Sequence, residues 1–228
     1  GPWSDTATWI GGVIPTSADN AVIASGHIVT MDSDTYATRN SGTTTVVNAG
    51  GTLATSKTYV NNGTTTVNGS FQLESGGWVS DATLTNALVY GTNGTLIFNT
   101  PYTANSGNYW PTTSGPVNVT VNTSSNLDLG FARTVTGLFQ TSSNINNPGN
   151  ITIGTNGTLK SNGGYNWSGS GSPVYGANSL LLYNSTGSPG RGVEWNQSSG
   201  TIGTTPGYPN NVQISNNTTL NFANGSSS

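Results

Sequence analysis

The sequence predicts an all-β chain: a single-domain, right-handed parallel β-helix (a solenoid) with an N-terminal capping segment and long aromatic-bearing loops. Three observations carry this expectation. First, 37 Thr, 32 Gly, 30 Asn and 28 Ser fill 127 of the 228 positions, while hydrophobic residues make up 32 % and charged residues 6 %. So little apolar content often means disorder, but disordered chains are usually rich in charge and poor in aromatics. Here only five basic and eight acidic residues stand beside six Trp, nine Tyr and five Phe. Second, short alternating runs separated by Asn-Gly turns recur along the chain, and no window offers an amphipathic helix of useful length. Third, segments with the same apolar spacing return in tandem, as they do in solenoids.

Taken in order, Gly1-Pro2 has the form of the scar left by a tag-cleaving protease and is set aside, leaving one domain over 3–228 excised from a longer protein. Residues 3–40 read as the cap region. Within it, Trp9-Ile10-Gly11-Gly12-Val13-Ile14-Pro15 is a loop, Asp19 to Ala24 a strand, Ser25-Gly26-His27 a turn and Ile28 to Asp32 a second strand. The coils then occupy 41–222, ahead of a polar tail at 223–228. Strand candidates are Thr43–Val47, Thr58–Val60, Thr64–Val67, Phe71–Leu73 and Thr95–Phe98, with Gly and Asn supplying the turns between them.

The repeats give the coil its length. Gly42-Thr-Thr-Thr-Val returns as Gly63-Thr-Thr-Thr-Val after 21 residues, one coil of a β-helix. A second pattern sets apolar residues 3, 5 and 11 positions after a proline: Val119, Val121 and Leu127 after Pro116; Ile151, Ile153 and Leu159 after Pro148; Val212, Ile214 and Leu220 after Pro209. Each copy reads as a strand with two inward residues, a turn, and a second strand entered by an inward Leu. Around the outer copies, Leu96-Ile97-Phe98-Asn99 leads to Trp110 as Leu181-Leu182-Tyr183-Asn184 leads to Trp195, so 95–129 and 180–222 are related units. Outward Thr suits strands, and Asn bonds turn backbones or stacks along the solenoid. A hairpin-built sandwich is the rival fold, and it requires no such tandem units.

The N-terminal stretch, with Trp9, Gly11-Gly12, Pro15, Asp19, Val22, Ile23, Gly26, Val29 and Asp32, resembles the opening of the eight-glycine domain over about residues 3–32. The Asn-Gly-Thr-Leu cadence of the remainder is similar to secreted bacterial surface β-helix repeat proteins. That resemblance implies a parallel β-helix at an extracellular or outer cell-surface address, and no particular ligand.

Composition excludes several functions. Five basic residues and a net charge of −3 form no track for nucleic acid. No run approaches 18 apolar residues, so no membrane insertion is expected. Zero Cys removes thiol and zinc-thiolate chemistry. The single His27 sits in a turn, so a Ser-His-Asp triad is not expected. No cofactor is expected, with a peripheral Ca²⁺ at Asp19, Asp32 and Asp34 as the one open metal reading and no metal residue assigned. Glycan cleavage by a lyase or glycoside hydrolase needs paired carboxyls. A lyase of this fold would set Arg or Lys near its acids; Asp128 with Arg133 and Arg191 with Glu194 are the near neighbours of that kind, and both read more simply as local salt bridges or solvated turns. No catalytic residue is therefore expected. Outward Thr43–Thr45 and Thr64–Thr66 raise an ice-binding reading, but two short rows make no broad plane.

What remains is binding. Tyr102, Tyr109 and Trp110 share one loop, Tyr165, Trp167 and Tyr175 another, and Trp195 and Tyr208 a third. Aromatic faces flanked by amides suit sugar rings. The expectation is a non-catalytic adhesion module that binds polysaccharide or a cell-surface glycan through Trp167, Tyr165 and Tyr175, with Trp110 and Tyr109 second. Neighbouring domains of the parent protein are its other partners. The competing class is a structural spacer, which requires those same aromatics to be packed as lids over the core.

Overall fold

In the computed structural model, which describes residues 1–83, 85–122, 126–163 and 167–222, the chain is all-β, with parallel strands stacked as a β-solenoid of about seven turns. It divides into two compact units, Gly1–Asn99 with Ser106–Val117, and Thr100–Asn105 with Asn118–Ser228. Among the described residues no helix is long and apolar enough to cross a membrane.

In the first unit each coil has three sides. The first coil is β1 (Ala21–Ile23), β2 (Ile28–Met31) and β3 (Thr38–Arg39); the second is β4 (Thr44–Val47), β5 (Thr52–Thr55) and β6 (Thr58–Asn61). The third is β7 (Thr64–Val67), β8 (Ser70–Leu73) and β9 (Trp78–Val79), and β10 (Val89–Tyr90) and β11 (Thr95–Phe98) follow. The stacks β1-β4-β7-β10, β2-β5-β8-β11 and β3-β6-β9 make the three faces. The second unit holds β12 (Tyr102–Ala104), β13 (Asn118–Val121), β14 (Leu127–Leu129), β15 (Arg133–Val135), β16 (Leu138–Thr141) and β17 (Ile145–Asn146). It continues with β18 (Ile151–Ile153), β19 (Thr158–Ser161), β20 (Trp167–Ser168), β21 (Val174–Tyr175), β22 (Leu180–Asn184) and β23 (Asn211–Ser215). Its faces are β13-β16-β19-β22-β23, β12-β14-β17-β20 and β15-β18-β21.

Most strands alternate in and out, β5 with Leu53, Ala54 and Thr55 all buried being an exception, and the inward residues stack coil on coil. Val29, Leu53, Phe71 and Leu96 form one such column in the first unit; Val119, Phe139, Leu159 and Leu181 form another in the second. Where a strand meets a corner, an inward hydroxyl closes it. Thr55 Oγ1 donates to the Lys57 carbonyl at 2.8 Å, and Thr141 Oγ1 to that of Ser143 at 2.7 Å. Outside the barrel wall, asparagines form ladders: Asn184 Nδ2 donates to Asn162 Oδ1 at 3.1 Å, and Asn162 Nδ2 to Ser142 Oγ at 3.4 Å. The abundance of Asn thus has the structural cause expected of it, whereas the inward Thr hydroxyls at the corners are a role that was not expected of Thr.

Two details of the repeat differ from expectation. The Thr-rich segments pair with Val47 opposite Val67, twenty residues on rather than twenty-one. A one-residue slip would turn every inward side chain outward, so the buried Thr45, Val47, Thr65 and Val67 set the register, not the sequence match. Of these two segments, Thr44 and Thr64 remain as an aligned outward threonine pair, with Val46 opposite Thr66 beside them. The three Pro-spaced copies also lie on different faces. The strands after Pro116 and Pro209 share the β13–β23 face, whereas that after Pro148 is β18, on the β15-β18-β21 face. Spacing encodes strand, turn and strand, and does not encode which side of the coil each strand joins.

The N-terminal segment packs over the first coil. Trp3 is buried, its indole N–H donating to the Pro15 carbonyl at 3.0 Å, and Trp9 meets it edge-on at 4.7 Å. The buried Arg39 guanidinium lies 5.3 Å from the Trp3 ring centroid and donates to the carbonyls of Thr16 and Asp19. Gly1 and Pro2, set aside on sequence grounds, also belong to the fold: Pro2 bridges Thr30 in parallel.

Candidate functional site

Four of the aromatics expected to meet sugar, Tyr109, Trp110, Trp167 and Tyr175, are buried, whereas Tyr102, Trp195 and Tyr208 are partly exposed. Residues 106–117 fold back over β10 and β11, held by Leu88 N–H to Asn108 O and Tyr90 N–H to Ser114 O, both 2.8 Å. Tyr109 (0 % exposed) and Trp110 (1 %) point inward beneath this loop. Phe98 lies 6.3 Å from Tyr109 and 5.9 Å from Trp110, and Trp78 meets Tyr109 edge-on at 5.7 Å. Tyr175 (0 %) is buried with its hydroxyl donating to the Glu194 carbonyl at 2.8 Å, and Trp167 is 9 % exposed on β20, stacked on Ile145. A sugar cannot stack on a ring whose faces are already covered. Tyr165 lies outside the described residues.

The acids weighed as calcium ligands are already used. Asp19 accepts from Thr16 N–H and Oγ1 at 2.9 and 2.6 Å, and these bonds hold its carboxyl below its usual range. Asp32 accepts from Ser4 N–H and Oγ at 3.0 and 2.5 Å; burial opposes its ionisation but those bonds outweigh it, so its pKa is lowered. Asp34 faces Lys57 at 3.9 Å. Among the described residues no group of three or more His, Cys, Asp or Glu is placed to hold a metal. Asp128 accepts from Asn147 Nδ2 at 2.6 Å, while the Arg133 guanidinium lies 3.4 Å from the centroid of the Phe131 ring.

Glu194 is the residue that sequence reasoning undervalued. It is 1 % exposed, with Oε1 accepting from Tyr183 OH at 2.7 Å and Gly192 N–H at 2.8 Å, while Oε2 is buried without a partner. Burial pushes its carboxyl above the usual range, against those two bonds and the nearby Arg191. A repeat of 85 residues explains the position. Val89-Tyr90-Gly91 recurs as Val174-Tyr175-Gly176, Phe98 as Tyr183, and Tyr109-Trp110 as Glu194-Trp195. In the first unit Tyr90 OH donates to the Tyr109 carbonyl at 2.7 Å, just as Tyr175 OH does to that of Glu194. The Phe98–Tyr109 ring contact has become a Tyr183–Glu194 hydrogen bond. The acid therefore fills a core slot in a repeated lid.

Its titration has a definite sign. A carboxyl whose folded pKa is raised contributes stability below its unfolded pKa and loses it as pH rises through the folded one. Glu194→Gln is expected to match the parent near pH 4 and to be more stable at pH 8, by about 1.4 kcal/mol for each unit by which folding raises the pKa. Urea melts of both proteins across that range check this; parallel pH curves would refute it.

A groove of about 770 Å³ opens between the 5–15 segment and the first coil, lined by Trp9, Ile10, Val13, Val22, His27 and Ile28 among others. His27 is exposed in the turn before β2. No family model, curated protein or solved structure matches the chain significantly.

Proposed function

We propose that the chain is a non-catalytic structural module of a secreted or cell-surface protein, a rigid β-solenoid spacer that carries neighbouring domains. The observation that carries this reading is the burial of Trp167, Tyr175, Trp110 and Tyr109, four of the five side chains expected to bind sugar. Their burial is what a spacer requires, and it supports that reading over adhesion through these rings. The acids support it too: Asp19 and Asp32 tie down the cap and Glu194 fills a core slot, where glycoside hydrolysis would need two carboxyls flanking one substrate site. Stacked coils with hydrogen-bonded corners transmit length and orientation at little conformational cost, and the uncharged Thr/Asn surface agrees with an extracellular setting.

The chain is tested on an array of plant, algal and microbial polysaccharides, beside Trp167→Ala. A spacer gives no signal above background, and Trp167→Ala lowers the melting temperature only. A saturable hit abolished by Trp167→Ala in a folded protein would restore the adhesion reading in its place.

A further inference from the structure

The first coil leaves one strand edge open. β1 pairs with β4 with Ile23 opposite Val47, and the Ile23 carbonyl accepts from Asn48 N–H at 3.0 Å. Alternation along a parallel ladder then turns the N–H and C=O of Val22 away from β4, on the side where Val22 lines the groove. The neighbouring edge is already covered. Along β2, the Gly1 amine donates to Ile28 O at 2.6 Å, Thr30 N–H to Gly1 O at 3.0 Å and Trp3 N–H to Thr30 O at 2.7 Å. An extended tripeptide thus completes one face of the coil by strand addition, and the adjoining edge of β1 presents the same geometry without such a strand among the described residues.

The lining suits an occupant of that kind. Ile10, Val13, Val22 and Ile28, each more than half exposed, all face this groove. Neither Lys nor Arg lines it, and β1 has neither the Pro nor the charge that ordinarily protects a strand edge. Four such side chains expose on the order of 500 Å², the size of a functional patch. That is short of the ~800 Å² per partner that a stable pair of folded proteins buries, so the surface fits a single extended strand better than a second copy of the chain.

We propose that this groove is a strand-addition site for an extended, uncharged peptide segment with alternating apolar residues. The segment pairs with β1 through the N–H and C=O of Val22 and packs its apolar side chains against Ile10, Val13 and Ile28.

The probe is a fluorescent peptide with the sequence of residues 41–48, an uncharged strand of this chain that already pairs with the other side of β1, titrated against the whole chain by polarisation. Saturable one-to-one binding is expected, absent for a scrambled peptide and weakened at least about tenfold by either of two substitutions. Val22→Pro deletes the donor facing the groove and leaves the Ile23 bonds to β4. Ile10→Asp, on a fully exposed loop residue, adds charge without touching any strand, and decides the matter if Val22→Pro does not fold. Absence of saturation at about 1 mM peptide, equal binding by the scrambled peptide, or indifference to Ile10→Asp overturns the proposal. So does sedimentation showing that the chain alone dimerises through this edge, which would make a second copy the occupant.

Discussion

Trp110→Ala is expected to destabilise the chain by about 3–5 kcal/mol, the range for removing a large aromatic from a closed core. The ring is 1 % exposed and packs 5.9 Å from Phe98 under a loop whose backbone is pinned to β10 and to the strand start at Gly94. Pinning limits collapse of the loop into the space left behind, so most of the cavity persists. Trp195, its counterpart 85 residues on, is only partly buried, with its ring 5.7 Å from Phe222 and the Arg191 guanidinium 5.5 Å away. Trp195→Ala therefore loses less buried area and is expected to cost less than half as much. Denaturant melts of both variants measure the two losses. Equal losses, or a Trp110→Ala shift under about 1 kcal/mol, would mean that the lid relaxes and does not hold a fixed core.

Gly69→Ala is expected to cost about 3 kcal/mol from one added methyl group, the upper range for overpacking. A Cβ at this position would overlap the carbonyl oxygens of Gly51 and Asn48 in the coil beneath. Gly69 does not have a positive φ, so an L-residue fits its backbone and the obstacle is space alone. Stacked corners explain this: Gly51, Gly69 and Gly94 follow one another in successive coils, each backed by a carbonyl of the coil before it. Gly42 is the control, with φ +83° and no atom within 4 Å of an added Cβ. Gly42→Ala is expected to lose only about 1–2 kcal/mol through backbone strain. Thermal melts that reverse this order would refute stacking as the reason for glycine at these corners.

Much of the fold was legible in the residues. Alternating Thr/Val runs, Asn-Gly turns and tandem spacing determined strands, corners and a parallel solenoid, because each is a local or nearest-neighbour property of the chain. The recurrence of Trp110 at Trp195 was also legible, whereas the side on which the Trp110 ring packs was not. Tertiary structure alone decided the rest. The twenty-residue register at Val47 and Val67 depends on which side of each strand the neighbouring coils bury, and a Thr-rich sequence match cannot report that side. The inward turn of Tyr109 and Tyr175 depends on loops folding back over strands distant in sequence, and a Tyr beside Asn and Gly reads the same whether it faces solvent or core. The burial of Glu194, read from sequence only as a neighbour of Arg191, and of Arg39 was not legible, because a charged residue is buried only where a particular set of hydroxyls, amides and carbonyls converges on it. Those groups, Tyr183 and Gly192 for one and Thr16 and Asp19 for the other, meet only once the chain has coiled.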